Sequence, residues 1–213
     1  MPFTFGEDGT RIHYDVWGKA DGEPLLMIQG LGADRRGWIL QRRAFGAKYR
    51  CIALDNRGVG KSDAPPGPYD LSMMARDALA VLDDVGVDRA HVMGASMGGV
   101  ISQIVGVLHA DRVRSLTLAC TACRQLPWRR ELLAEWAALA EVEGMGAFVQ
   151  RNARWLFGAR SFRRLQPLIG PVGGLALNSS PHSFIAQVDA ILAADETLRE
   201  ELHRVAVPTL ILV

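Results

Sequence analysis

The chain has 213 residues, of which 49% are hydrophobic and 22% charged, with a formal net charge of +1. That length suits one large domain or a core domain carrying an insertion, and the near-neutral balance excludes nucleic acid as the main partner, because phosphate binding needs a concentrated basic stripe. No apolar run approaches the roughly 20 residues of a membrane span, so no membrane partner is expected.

The N-terminus has neither a basic start nor an apolar h-region, so no secretory signal is expected. Three cysteines make an odd count and no disulfide framework. The cytoplasm is the expected location.

In chain order, "FTFGEDGTRIHYDVWG" predicts two strands joined by a turn at Glu7-Asp8-Gly9, with Thr4, Arg11, His13 and Asp15 on the polar positions. "PLLMIQG" is a continuous apolar run closed by glycine, the pattern of a strand buried on both faces. "RRGWILQRRAFGAKY" reads as helix and "RCIALDN" as another buried strand. "LSMMARDALAVLDDVGV" is amphipathic: Leu71, Met74, Ala75, Ala78, Leu79 and Leu82 form one stripe, with Ser72 as N-cap and Gly86 as stop. Strand "AHVMGA", helix "MGGVISQIVGVLHA" and strand "VRSLTLACTA" follow. Alternating strands and helices with buried strands predict a mostly parallel sheet covered by helices on both faces, an α/β fold.

From Arg124 the rhythm changes. Four helical patterns run from "PWRRELLAEWAALAEVEG" through "MGAFVQRNARWLFG" and "ARSFRRLQPLIG" to "SPHSFIAQVDAILAAD", with no strand between them. Residues 1–123 are therefore expected to be the core, 124–204 a helical lid insertion, and 205–213 a first C-terminal core strand, "PTLILV", after which the core is incomplete. Arg124, Arg129 and Arg130 read as a solvated helix face. Cys120 and Cys123 form a C-x-x-C, but Cys120 ends an apolar run instead of opening a helix, so packing is expected, not redox chemistry. No second Cys/His pair stands near for zinc. Neither a metal nor a cofactor is expected.

"HVMGASMGGV" carries the chemistry. Ser96 follows a strand and precedes a helix, in the pattern Gly94-x-Ser96-x-Gly98. A serine held in a sharp, unfavourable turn leaves no room for side chains two residues to either side, and the turn exposes its Oγ above a helix N-terminus. Acyl transfer also needs donors for the oxyanion. The backbone N–H of Met97 is one; Leu31 N–H is the other, with Gly30 letting the loop "QGLGAD" turn inward.

These segments resemble the α/β-hydrolase superfamily, in the esterase and lactonase branch that includes 3-oxoadipate enol-lactonase-like proteins. "LDNRGVGKSD" is similar to that branch's D-x-R-G-x-G-x-S segment, with Gly58 and Gly60 as turn glycines beside the oxyanion loop, and the resemblance runs essentially end to end. Gln29 departs from it, standing where many members have histidine; backbone donation survives that change. The resemblance implies a serine–acid–histidine triad in that chain order. It places the acid just past "PTLILV" and the histidine after a further strand, both beyond Val213. The five histidines present do not substitute: His13 lies in the first hairpin, His91 at the start of the strand leading to Ser96, His109 at the end of the following helix, His203 before the last strand, and His182 near a helix N-terminus in the lid.

The lid is rich in aromatic residues: Trp136, Phe148, Phe157 and Phe184, with Trp128 and Trp155 as candidates for a substrate pocket. Three readings of function stand. The first is a serine hydrolase acting on a carboxylic ester or lactone through an acyl-enzyme on Ser96, conditional on residues C-terminal to Val213. The second is a non-catalytic or truncated hydrolase-fold protein acting by binding. The third is a perhydrolase- or haloperoxidase-like activity on the same elbow. The exposed final strand also predicts self-association.

Overall fold

The continuous apolar runs become the centre of a seven-stranded sheet. The computed structural model describes residues 2–156, 160, 163, 177–194 and 197–213. The strands are β1 (Phe3–Phe5), β2 (Arg11–Gly18), β3 (Glu23–Ile28), β4 (Tyr49–Leu54), β5 (Ala90–Ala95), β6 (Val113–Ala119) and β7 (Thr209–Leu212). Their order is β1-β2-β4-β3-β5-β6-β7, with β1 and β2 antiparallel to their neighbours and the rest parallel. From β3 the chain steps outward to β4, then returns to the other side of β3 as β5. That reversal opens a crevice at the carboxyl ends of β3 and β5, where open α/β sheets bind their ligands.

The helices are α1 (Arg42–Gly46), α2 (Leu71–Asp84), α3 (Met97–Leu108), α4 (Pro127–Leu156), α5 (Pro181–Ala193) and α6 (Thr197–Glu201). The amphipathic stripe of α2 is buried as its spacing requires, against Ile12, Leu26, Ile52 and Leu54 of the sheet. Each fully buried leucine there contributes about 1.5–3 kcal/mol. The opposite face carries a smaller cluster, Leu25, Met27, Trp38, Cys51 and Ala53, with Phe45 of α1 against it. Helices thus lie on both faces of a mostly parallel sheet.

Several local expectations are corrected. The cap of α2 is Asp70, whose carboxylate accepts from Ser72 N–H at 2.6 Å; Ser72 is already helical. Gly86 does follow the helix, at φ +66°. The helix expected over residues 35–49 is broken: a 3-10 turn at Arg35–Trp38 is separated from the five-residue α1. After β6, Pro127–Leu156 runs as one segment interrupted at Gly144, whose φ of +79° and ψ of +173° leave the helical region. The pattern "ARSFRRLQPLIG" lies almost wholly outside the described residues.

His13 is not on a polar face. It is completely buried, because both faces of β2 are covered at that point. Its Nδ1 lies 3.3 Å from Asp55 Oδ2, and Phe3 stacks edge-on against the ring. Asp55 accepts from Arg35 Nη1 at 2.7 Å, and Arg35 Nε also bonds Asp15 at 2.6 Å. Burial, then the charge of Arg35, holds the imidazole pKa below its ordinary value. A second buried guanidinium, Arg57, is gripped by Asp77 and Asp8. Both networks brace the "LDNRGVGKSD" loop from beneath.

Candidate active site

Ser96 stands between β5 and α3 with φ +52° and ψ −118°. A non-glycine residue in that region costs on the order of 1–3 kcal/mol and persists only where its surroundings over-determine it. Here they do. Ser96 N–H donates to Ala119 O at 2.9 Å. Ser96 O accepts from Gly99 N–H at 2.9 Å, Val100 N–H at 3.3 Å and Thr121 Oγ1 at 2.7 Å.

The two glycines of the elbow have specific steric causes. A β-carbon on Gly94 would collide with the backbone of Gly98 and the hydroxyl of Ser102. One on Gly98 would collide with Ile28 O and stand 2.7 Å from Gln29 O, so only glycine lets α3 approach the end of β3. Gly30 faces Ser96 directly: a β-carbon there would lie 3.0 Å from Ser96 Cβ and 3.6 Å from its Oγ. The crevice between β3 and β5 therefore brings the "QGLGAD" loop onto the serine, as expected.

Among the described residues, neither Leu31 N–H nor Met97 N–H donates to a protein acceptor. Both flank the Ser96 side chain, one beside Gly30 and the other at the first turn of α3, where the helix dipole favours negative charge. Gly30 N–H is turned aside, to the side chain of Gln29 at 3.3 Å. Asn56 Nδ2 fixes Gln29 O at 3.1 Å.

The sequence did not reveal the strap that α5 and the segment before it lay across this loop. Gln187 of α5 is fully buried; its Oε1 accepts from Gly32 N–H at 2.9 Å and its Nε2 donates to Arg57 O at 2.9 Å. Asn178 N–H donates to Gly32 O at 3.0 Å, and its side chain donates to Asp34 at 3.1 Å. Residues 178–187 thus tie the "QGLGAD" loop to the Gly58 turn. The one signal in the sequence was a glutamine inside the apolar run "FIAQVDAIL".

The histidines stand apart from Ser96. His91 bonds Ser115 and Glu23 at the opposite end of the sheet, five residues and roughly 16 Å down β5. His109 follows α3, roughly 20 Å along the helix. His13 is enclosed beside Asp55, His182 is exposed, and exposed His203 bonds Glu200 O at 2.6 Å.

Trp136, Phe148 and Phe184 stack together between α4 and α5, with the Phe148 and Phe184 rings 4.7 Å apart. Trp128 and Trp155 are 58% and 55% exposed, so neither is core. Phe157 lies outside the described residues. Cys120 is not packed as expected: β6 stops at Ala119, and Cys120 leaves the sheet exposed, with φ +49°, whereas Cys123 is half-buried. Among the described residues no group of three or more His, Cys, Asp or Glu side chains could hold a metal ion, and no helix is long and apolar enough to cross a membrane.

Known proteins share this arrangement. The enol-lactonase of Burkholderia xenovorans LB400 superposes with a TM-score of 0.89 at 30% identity, over 99% of this chain and 80% of that one. The 3-oxoadipate enol-lactonase 2 of Acinetobacter baylyi is 26% identical over 98% of this chain and 77% of its own length. A protein named as a carbamate hydrolase, RutD, of Azorhizobium caulinodans is 29% identical over 99% of this chain and 78% of its own. The family model described as alpha/beta hydrolase fold matches residues 23–212. That match runs from β3 through β7, and the chain belongs to the alpha/beta hydrolase family.

Proposed function

We propose that this hydrolase cleaves a carboxylic ester or lactone through an acyl-enzyme on Ser96. Ser96 Oγ attacks the carbonyl carbon, and the Leu31 and Met97 N–H groups receive the oxyanion. Collapse breaks the ester C–O bond and the alcohol departs with a proton; water then attacks the acyl carbon and releases the acid and free Ser96. The observation that carries the reading is the over-determined positive-φ conformation of Ser96, set against Gly30 with two uncommitted N–H groups beside it. The names of the two enol-lactonases support an ester or lactone over other hydrolysable bonds. Three free thiols suit a reducing compartment, the cytoplasm.

Among the described residues none of the five histidines hydrogen-bonds Ser96, which supports a second reading, binding without turnover, for the chain of residues 1–213. The first reading assigns the base and its acid to residues C-terminal to Val213. The test compares three proteins on p-nitrophenyl butyrate: this chain, the chain extended by its downstream coding sequence, and the extended chain with Ser96→Ala. The extended chain should be faster than the other two by about 10³-fold or more. A fluorophosphonate should label it at Ser96, as read by peptide mass. Equal rates in all three, or labelling elsewhere, would overturn the assignment of Ser96.

A further inference from the structure

The hydrogen bonds of the loop beside Ser96 leave a single donor over. Gly30 N–H is committed to the Gln29 side chain, Gly32 N–H to Gln187 Oε1 at 2.9 Å, and Ala33 N–H to Gly30 O at 3.2 Å. Two carbonyls are held as well, Gln29 O by Asn56 Nδ2 at 3.1 Å and Gly32 O by Asn178 N–H at 3.0 Å. From Gly30 to Ala33, among the described residues, Leu31 N–H is the one amide that donates to nothing.

The direction of that free N–H follows from the bonds around it. The Gly30–Leu31 peptide is planar and its N–H points opposite to its C=O. The C=O is turned toward Ala33 N–H by the bond that closes a tight turn. Gly32, third in that turn, has φ +68°, and Leu31 is not among the residues at positive φ, which is the pattern of a type II turn. In a type I turn Gly32 would take a negative φ, and the flipped Leu31–Gly32 peptide would carry its N–H away from Gln187.

Gln187 comes from α5, 155 residues along the chain. It is fully buried, and its Nε2 is anchored on Arg57 O at 2.9 Å, so its Oε1 has one fixed place. A buried amide that loses such an acceptor is left unsatisfied, which makes the flipped turn the costlier form while α5 is docked. We infer that Gln187 is a positioning residue: by holding Gly32 N–H it keeps the Gly30–Ala33 turn in its type II form and so aims Leu31 N–H at the oxyanion formed on Ser96. The donor is assembled by the docking of α5, not by the loop alone. This step rests on the roles proposed above for Ser96 and Leu31.

The test reads the turn and the chemistry separately, in the chain extended by its downstream coding sequence. In the unaltered protein the Leu31 amide should exchange at least about tenfold faster than the Gly32 amide, and NMR should show the short Leu31 Hα to Gly32 N–H contact of a type II turn. Equal protection of the two amides, or a missing contact, would overturn the inference whatever the variants do to folding. Gln187→Met keeps the side-chain length and removes both polar ends. It should lose the contact and lower kcat on p-nitrophenyl butyrate by about tenfold or more per fluorophosphonate-titrated site, with KM within about twofold. Gln187→Glu still offers Gly32 N–H an oxygen, so it should recover most of that kcat even where the buried carboxyl lowers stability. If kcat instead falls with stability in both variants, the role is structural and the inference fails. An unaltered turn in Gln187→Met, or an altered turn with unchanged kcat, also counts against Gln187 alone. Turnover that survives Ser96→Ala refutes the nucleophile and its donors together, and it is told apart because the turn is read without any chemistry.

Discussion

The centre of the sheet and its β7 edge are built to different standards of closeness. At the centre, where β3 meets β5, backbone touches backbone and even a β-carbon is excluded at Gly94 and Gly98. At the edge, all four residues of β7 are exposed, with Leu210 at 54% and Ile211 at 65%. Both regions are parallel sheet, so strand pairing alone does not make the difference. The centre is fixed from three sides, by α3, by the "QGLGAD" loop and by the Gln187 strap, whereas β7 is held in the sheet through β6.

The sharpest way to break that contrast is Gly98→Ala. Its methyl would meet two backbone carbonyls that cannot move aside, so unfolding free energy should fall by more than about 4 kcal/mol, seen in denaturant melts or as insolubility. A near-native melt would mean that the centre is looser than described. Next comes Gln187→Leu, which leaves Gly32 N–H and Arg57 C=O without their partner. A loss of about 2–4 kcal/mol is expected, together with faster hydrogen exchange at Gly32; unchanged exchange would show that the strap is dispensable.

A smaller effect depends on pH. Folding depresses the His13 pKa, so below the unfolded value of about 6.5 the unfolded chain binds a proton that the folded chain refuses. Stability is complete above that pH and should fall on acidification by up to about 1.4 kcal/mol per pH unit. His13→Gln should flatten the slope of melting temperature between pH 7 and 5. A slope that survives the substitution would assign it to another group. The smallest effect belongs to the edge. Leu210→Lys with Ile211→Lys should change stability by less than about 0.5 kcal/mol, yet suppress the self-association we propose for this strand. Sedimentation at rising concentration reads the association, and indifference to both lysines would rule out β7 as its route.

The sequence was informative where one local pattern has one physical cause. Periodicity placed the α2 stripe, apolar runs placed the buried strands, and the glycine spacing around Ser96 predicted a turn with no room for side chains. What it hid were contacts between distant segments. His13 looked polar because alternation reports only one strand, and its burial depends on Asp55 and Arg35 arriving from elsewhere. Gln187 and Gly32 are separated by more than half the chain, so the periodicity of α5 could not announce their bond. Arg129 passed for one of three cations on a solvated face, yet it is half-buried while Arg124 and Arg130 are exposed, since spacing along a helix says nothing about which side meets the rest of the fold.

The carbonyl of Ser96 has a wider consequence. It accepts from three donors, two amides of α3 and the Thr121 hydroxyl, although an acceptor of this kind needs only two. Such redundancy makes the elbow fault-tolerant. A lineage can lose the threonine hydroxyl, or alter its loop for the sake of a different ligand, while the two amides continue to hold the serine in place.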